Sequence, residues 1–95
     1  MSYPKNHRLD SGYKLYQMGG TVKILFYDEE EIHAEIKNST GGTELVSCIL
    51  GFYRCTCDDW FNRWQIMPGA YFCKHIEDLH FEIAYRKFNG LEMVG

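Results

Sequence analysis

Cys55-Thr56-Cys57 and, after fifteen intervening residues, Cys73-Lys74-His75 set the tightest constraint on what this chain can fold into, because two chelating pairs must be brought together. Three thiolates and one imidazole make a complete tetrahedral ligand set for one zinc ion and leave no position open for chemistry. In extended backbone, residues two apart project to one face with Cα atoms about 6 to 7 Å apart. Cys55 and Cys57 can therefore chelate from the end of a strand, with Thr56 turned away from the metal. The same spacing inside a helix would turn two side chains roughly 200° apart, so Cys73 and His75 cannot both ligate from a helix interior. They fit a helix entrance, with Cys73 just outside the first turn and His75 within it, where the positive helix end favours a thiolate.

The flanking sequence suits such a junction. Thr21 to Tyr27 is rich in β-branched and aromatic residues and reads as a strand. Asp28 to Glu31 interrupts it as a polar turn would. Ile32 to Lys37 alternates, which puts Ile32, Ala34 and Ile36 toward a core and His33, Glu35 and Lys37 toward water. Asn38-Ser39-Thr40-Gly41-Gly42 is a turn cluster, and a third strand is expected from about Glu44 to Cys55, bent at Gly51. On that strand Cys48 stands seven residues before Cys55, about 23 Å away if the chain stays extended, and so reads as core. Val46, Cys48, Leu50 and Phe52 would line one face, with Leu45, Ile49 and Tyr53 on the other, and a strand apolar on both faces expects cover on both. From Cys73 a helix is expected, with Ile76, Leu79 and Ile83 packed on the sheet. Phe81, Tyr85 and Phe88 form a second stripe on another side of the helix.

The order C-x-C, spacer, C-x-H resembles the SWIM zinc finger. Trp60 or Phe61 shortly after the second cysteine, and the basic and apolar residues in Cys73-Lys74-His75-Ile76, strengthen the resemblance, which covers roughly residues 21 to 88. It implies a β-β-α layout, a structural zinc held by Cys55, Cys57, Cys73 and His75, and a role in binding nucleic acid or protein. The expected fold class is α+β: a small antiparallel sheet of about three strands on one C-terminal helix, pinned by the metal.

Composition narrows the function further. The 95 residues carry a formal charge of −3, against the sign usual for a stand-alone nucleic-acid binder. No apolar run approaches the ~20 residues of a membrane span, and the start lacks a signal-peptide core, so a soluble intracellular protein, cytoplasmic or nuclear, is expected. A disulfide framework, the rival use of four cysteines, suits neither that compartment nor the lopsided spacing. Residues 1 to 20, with Pro4, Gly12, Gly19 and Gly20 and no sustained period, read as a partly ordered arm ahead of one zinc-binding domain over residues 21 to 95.

Two kinds of partner follow. A protein partner, heteromeric or a second copy, would use Phe81, Tyr85 and Phe88, with Trp64 from the aromatic metal loop, since three aromatics in one stripe make a sticky patch unless covered. The competing account folds Tyr3, Tyr13 and Tyr16 back over that stripe. Nucleic acid would be met by Lys5, Arg8 and Lys14 with help from Arg54, Arg63 and Lys74, and bound weakly by the chain alone. A small-molecule substrate is not expected, and a closed metal site argues against an enzyme; Asp58 and Asp59 read as helix-entrance residues rather than a catalytic pair.

Overall fold

The computed structural model describes residues 7–95, with side chains from Ser11 onward. Its elements run α1 (His7–Gln17), β1 (Val22–Tyr27), β2 (Glu31–Lys37), β3 (Thr43–Ile49), β4 (Phe52–Cys55), α2 (Asp58–Arg63), a 3₁₀ turn (Trp64–Ile66) and α3 (Lys74–Phe88). The fold is α+β, and the sheet is an antiparallel meander in the order β1-β2-β3-β4.

Each hairpin has a local cause. The Asp28 carboxylate accepts the Glu30 and Glu31 N–H groups, both at 2.7 Å, and turns β1 into β2. Asn38 Oδ1 accepts the Thr40 and Gly42 N–H groups at 3.0 and 2.9 Å and closes the next loop. Between β3 and β4 the turn has only two residues, Leu50 at φ 50° and Gly51 at φ 83°. Both central residues lie in the left-handed region that the tightest hairpins require.

That turn corrects the sequence reading. The expected single strand from Glu44 to Cys55 is a hairpin, so the sheet has four strands rather than three. Ile49 pairs with Phe52, Cys48 with Tyr53, and Val46 with Cys55. Reversal places Phe52 on the outer face beside Ile49 and turns Tyr53 inward, opposite to the faces expected. Cys48 is buried as expected, but not because a long strand carries it away from Cys55. It lies on the neighbouring strand, two residues from Cys55's own pairing partner.

The core forms where the inner face of the sheet meets α3. Ile24, Ala34, Ile36 and Val46 supply the sheet side, and Ile76, Leu79 and Ile83 the helix side, all of them buried. The expected core stripe of α3 is therefore the one observed. The apolar residues on the outer face, Leu25, Leu45, Ile49 and Phe52, stay exposed.

Residues 7–17, expected to belong to a partly ordered arm with no sustained period, form α1, which packs along α3. Gly12 explains why the sequence concealed it. A methyl group there would meet Glu77 Cβ at 2.5 Å and the Lys74 carbonyl at 2.9 Å. A mid-helix glycine costs about 1 kcal/mol in propensity, and here it lets two helix backbones approach. Leu15 is buried beneath α1, and Tyr13 and Tyr16 set their rings 5.3 and 5.8 Å from that of Phe81.

Candidate metal centre

The two chelating pairs arrive from opposite ends of the chain's central excursion. β4 delivers Cys55 at its last residue, and Cys57 then caps α2, its sulfur accepting the Trp60 N–H at 3.4 Å. Thr56 between them is exposed, as expected of the middle residue. Its hydroxyl donates to Glu44 at 2.6 Å and accepts the Leu45 N–H at 3.0 Å, while its own N–H donates to the Leu45 carbonyl at 3.1 Å. These bonds extend the β3–β4 ladder past Cys55 and hold the C-x-C segment extended. Cys73 is the N-cap of α3, and His75 is the second residue of its first turn, the helix-entrance geometry the spacing demands.

Cys55, Cys57, Cys73 and His75 are all buried, and their ligand atoms lie within 4.8 Å of one another. His75 turns Nδ1 to the cluster, 3.8 Å from Cys55 Sγ and 3.9 Å from Cys73 Sγ. A tetrahedral zinc site with ordinary bond lengths puts sulfur and nitrogen about 3.6 Å apart and two sulfurs about 3.8 Å apart. The four residues are close enough to hold one metal ion. All four cysteines are free thiols, so no disulfide competes for them.

The electrostatics of the bare cluster fit a cation. Hydrogen bonds from Cys55 and Cys73, with smaller help from His75 and the Trp60 N–H, hold the Cys57 thiol far below its ordinary range. Cys55 is pushed far up, first because it serves as donor to Cys57 and Cys73, then by burial. Cys73, like Cys55, is held above its ordinary range, and a dication would favour the thiolate at all three sulfurs by ligating it.

Behind the cluster lies a polar group that the sequence reading missed. Asp78 is fully buried in α3, three residues after His75, and Oδ2 accepts the Thr21 hydroxyl at 2.7 Å. Burial raises its carboxyl to about 6, against the opposing pull of Thr21 and of His75. Asp78 Oδ1 and His75 Nε2 are both buried without a protein partner among the described residues. When Nδ1 binds a metal, Nε2 must carry the proton, and a carboxylate oxygen is the acceptor such an N–H takes, directly or through water. In the sequence Asp78 is marked only by standing one helical turn beyond a candidate ligand, and the Thr21 hydroxyl that reveals its burial lies far away in the chain.

The aromatic loop divides its labour. Trp60 is buried against the core, Trp64 stacks on it at 5.8 Å, and Phe61 is 71 % exposed. Of the expected interface residues, Phe81 is taken up by α1, which corrects its place in a free stripe. Tyr85 is half exposed, Phe88 is 90 % exposed, and Trp64 is partly buried.

The expected cations are not one patch. Lys5 lies outside the described residues, and Arg8 is described only as backbone of α1. Lys14 is exposed on α1, and Arg54 stands on the outer sheet face. Arg63 is paired with Asp59 at 3.4 Å. With Lys74 it lines a cleft of about 630 Å³ beside Cys57 and His75, and Glu44 and Asp59 share that lining.

No protein-family model matches the chain, and no solved structure matches it. Among curated proteins it is similar to Protein BTN1 of Chaetomium globosum, 33 % identical over 67 residues. The match takes in 63 % of this chain and 15 % of that protein. No helix among the described residues is long and apolar enough to cross a membrane.

Proposed function

We propose that this chain is a SWIM-like, non-enzymatic module in which one structural zinc, held by Cys55, Cys57, Cys73 and His75, fixes a surface that binds another protein. In this role it serves as an adaptor within a DNA-processing assembly. The observation that carries the zinc is the burial of all four donors around one point. Three cysteines and a histidine are a soft set suited to zinc, and with every position filled by protein the metal has none left from which to activate water. Its work is then to join β4, α2 and α3 at one point.

Protein is favoured over nucleic acid as partner by charge and by its distribution. The formal charge is −3, Arg63 is already paired with an acid, and Lys14, Arg54 and Lys74 stand on different parts of the surface. Few dispersed cations release few counterions, so binding to bare DNA should be micromolar or weaker at physiological salt. Titration of labelled single- and double-stranded DNA across a salt series tests this, alongside elemental analysis for zinc. One zinc per chain with weak DNA binding supports the reading. Sub-micromolar binding with a steep salt slope would move the function to nucleic acid, and native protein without zinc would remove its foundation.

A further inference from the structure

The outer face of the sheet carries a groove centred on Arg54. Ser47 pairs with Arg54 across β3 and β4 and forms a low floor. Leu45 and Ile49, two residues to either side of Ser47, rise from the same face, and Phe61 stands opposite from α2. Two clefts, of about 580 and 670 Å³, meet here and share Arg54, Trp60 and Phe61 in their walls; neither wall contains a carboxylate. Leu45 is 53 % exposed and Phe61 71 %.

Arg54 differs from the other arginines whose side chains are described. Arg63 is paired with Asp59, and Arg86 with Glu82 at 2.6 Å, whereas Arg54 makes no ion pair among the described residues. In water this costs nothing. Once a partner covers the apolar walls, however, an unpaired guanidinium would be stripped of water, and a buried uncompensated charge is strongly unfavourable. Whatever fills the groove must bring its own anion to its centre and apolar groups to its two ends.

The geometry points to a peptide segment of another protein as the occupant, one that sets a single Asp or Glu on Arg54 between two aliphatic or aromatic side chains, each seated in one cleft. This rests on the adaptor reading and names the chemistry of its partner. A lone cation suits one carboxylate, and a planar guanidinium can grip it through two parallel hydrogen bonds. A nucleic-acid strand brings a phosphate with every nucleotide, whereas the two clefts offer Arg54 as their single arginine or lysine. A second copy of this chain would set Arg54 against an identical surface without an acid at its centre.

The test is panning of random dodecapeptides on the zinc-loaded full chain, with Arg54→Glu as counter-selection, followed by fluorescence anisotropy on the synthetic consensus. We expect an acid flanked by apolar residues, affinity lost about tenfold or more in Arg54→Glu, and partial recovery when the peptide's acid is changed to Lys. Unchanged zinc content and melting curve certify that the variant is folded. Absence of any selected class, binding indifferent to Arg54, tighter Arg54-dependent binding of oligothymidylate, or a dimer in sedimentation that Arg54→Glu dissolves would each overturn the assignment. Zinc is measured on the same preparations. Bound zinc with no peptide removes the groove alone, whereas missing zinc removes the reading beneath it.

Discussion

The two ends of α3 live in different physical worlds. At the N-terminal end Cys73, Ile76, Asp78 and Leu79 are all at 0 % exposure, while at the C-terminal end Tyr85 is 50 % exposed and Phe88 90 %. One helix thus begins as part of a core and ends as surface. The cause is what each end can lean on. The first turn is enclosed by β4, α2 and the ligand cluster, whereas beyond Ile83 contact with the sheet thins to Lys87 lying over the Tyr27 ring at 5.7 Å, and the rings of α1 rest on Phe81. The polar order at the tail runs through the last residue: Arg86 bonds Glu82 and reaches the Gly95 carbonyl at 2.7 Å, and Gly95 pairs with Ile24 at the edge of β1.

If the metal makes that difference, removing it should collapse the buried end. Structural zinc in a small domain is worth on the order of 10 kcal/mol, comparable with the whole stability of such a chain. Cys73→Ala is expected to lose both metal and cooperative unfolding, measured by elemental analysis and calorimetry. Cys48→Ser, which alters a buried cysteine outside the cluster, should keep its zinc while losing about 1 to 3 kcal/mol for the buried hydroxyl. Equal metal loss in both variants would mean that the cluster is not the site.

The ligand pairs and the core stripe of α3 were legible in the sequence because each rests on a short-range rule: two residues apart on a strand, two at a helix entrance, three and four along a helix. The features that were not legible depend on partners distant in sequence. Gly12 reads as a helix breaker until Glu77 is seen pressed against it. Leu50 gives no hairpin signal, since the left-handed conformation at that position is normally taken by Asn, Asp or Gly. The inward turn of Tyr53 follows from that same missed reversal. Asp78 reads as an ordinary helix-surface acid until the Thr21 hydroxyl, fifty-seven residues away in the chain, is found against it.

The boundary between the two worlds of α3 falls at Phe81, and paired substitutions can locate it. Phe81→Ala removes the ring on which Tyr13 and Tyr16 rest, and is expected to cost about 1 to 3 kcal/mol, somewhat below the value for a fully buried Phe. Amide exchange in α1 should rise with it, with zinc content intact. Tyr85→Ser with Phe88→Ser touches no comparable packing and should change stability by about 0.5 kcal/mol or less. A large loss in the double variant would show that the C-terminal end is held by something more than its own turn.

His80 stands midway and gives the finest probe of the same boundary. Its ring meets Tyr53 edge-on at 4.9 Å and Phe72 at 4.8 Å, with Glu77 3.9 Å from Nδ1 on the same helix. Burial holds its pKa below the ordinary 6.5, so the aromatic surroundings outweigh the nearby acid. The sign of the pH effect follows. The folded state takes up the His80 proton less readily than the unfolded chain, so its contribution is complete above pH 6.5 and declines as pH falls from there toward the folded pKa. His80→Phe should flatten the acid side of a stability–pH profile relative to the native chain. Both proteins lose metal in acid through the same four ligands, so the difference between their profiles isolates His80. Parallel profiles would mean that water already reaches this ring, and that the exposed end of α3 begins a full turn earlier than its neighbours indicate.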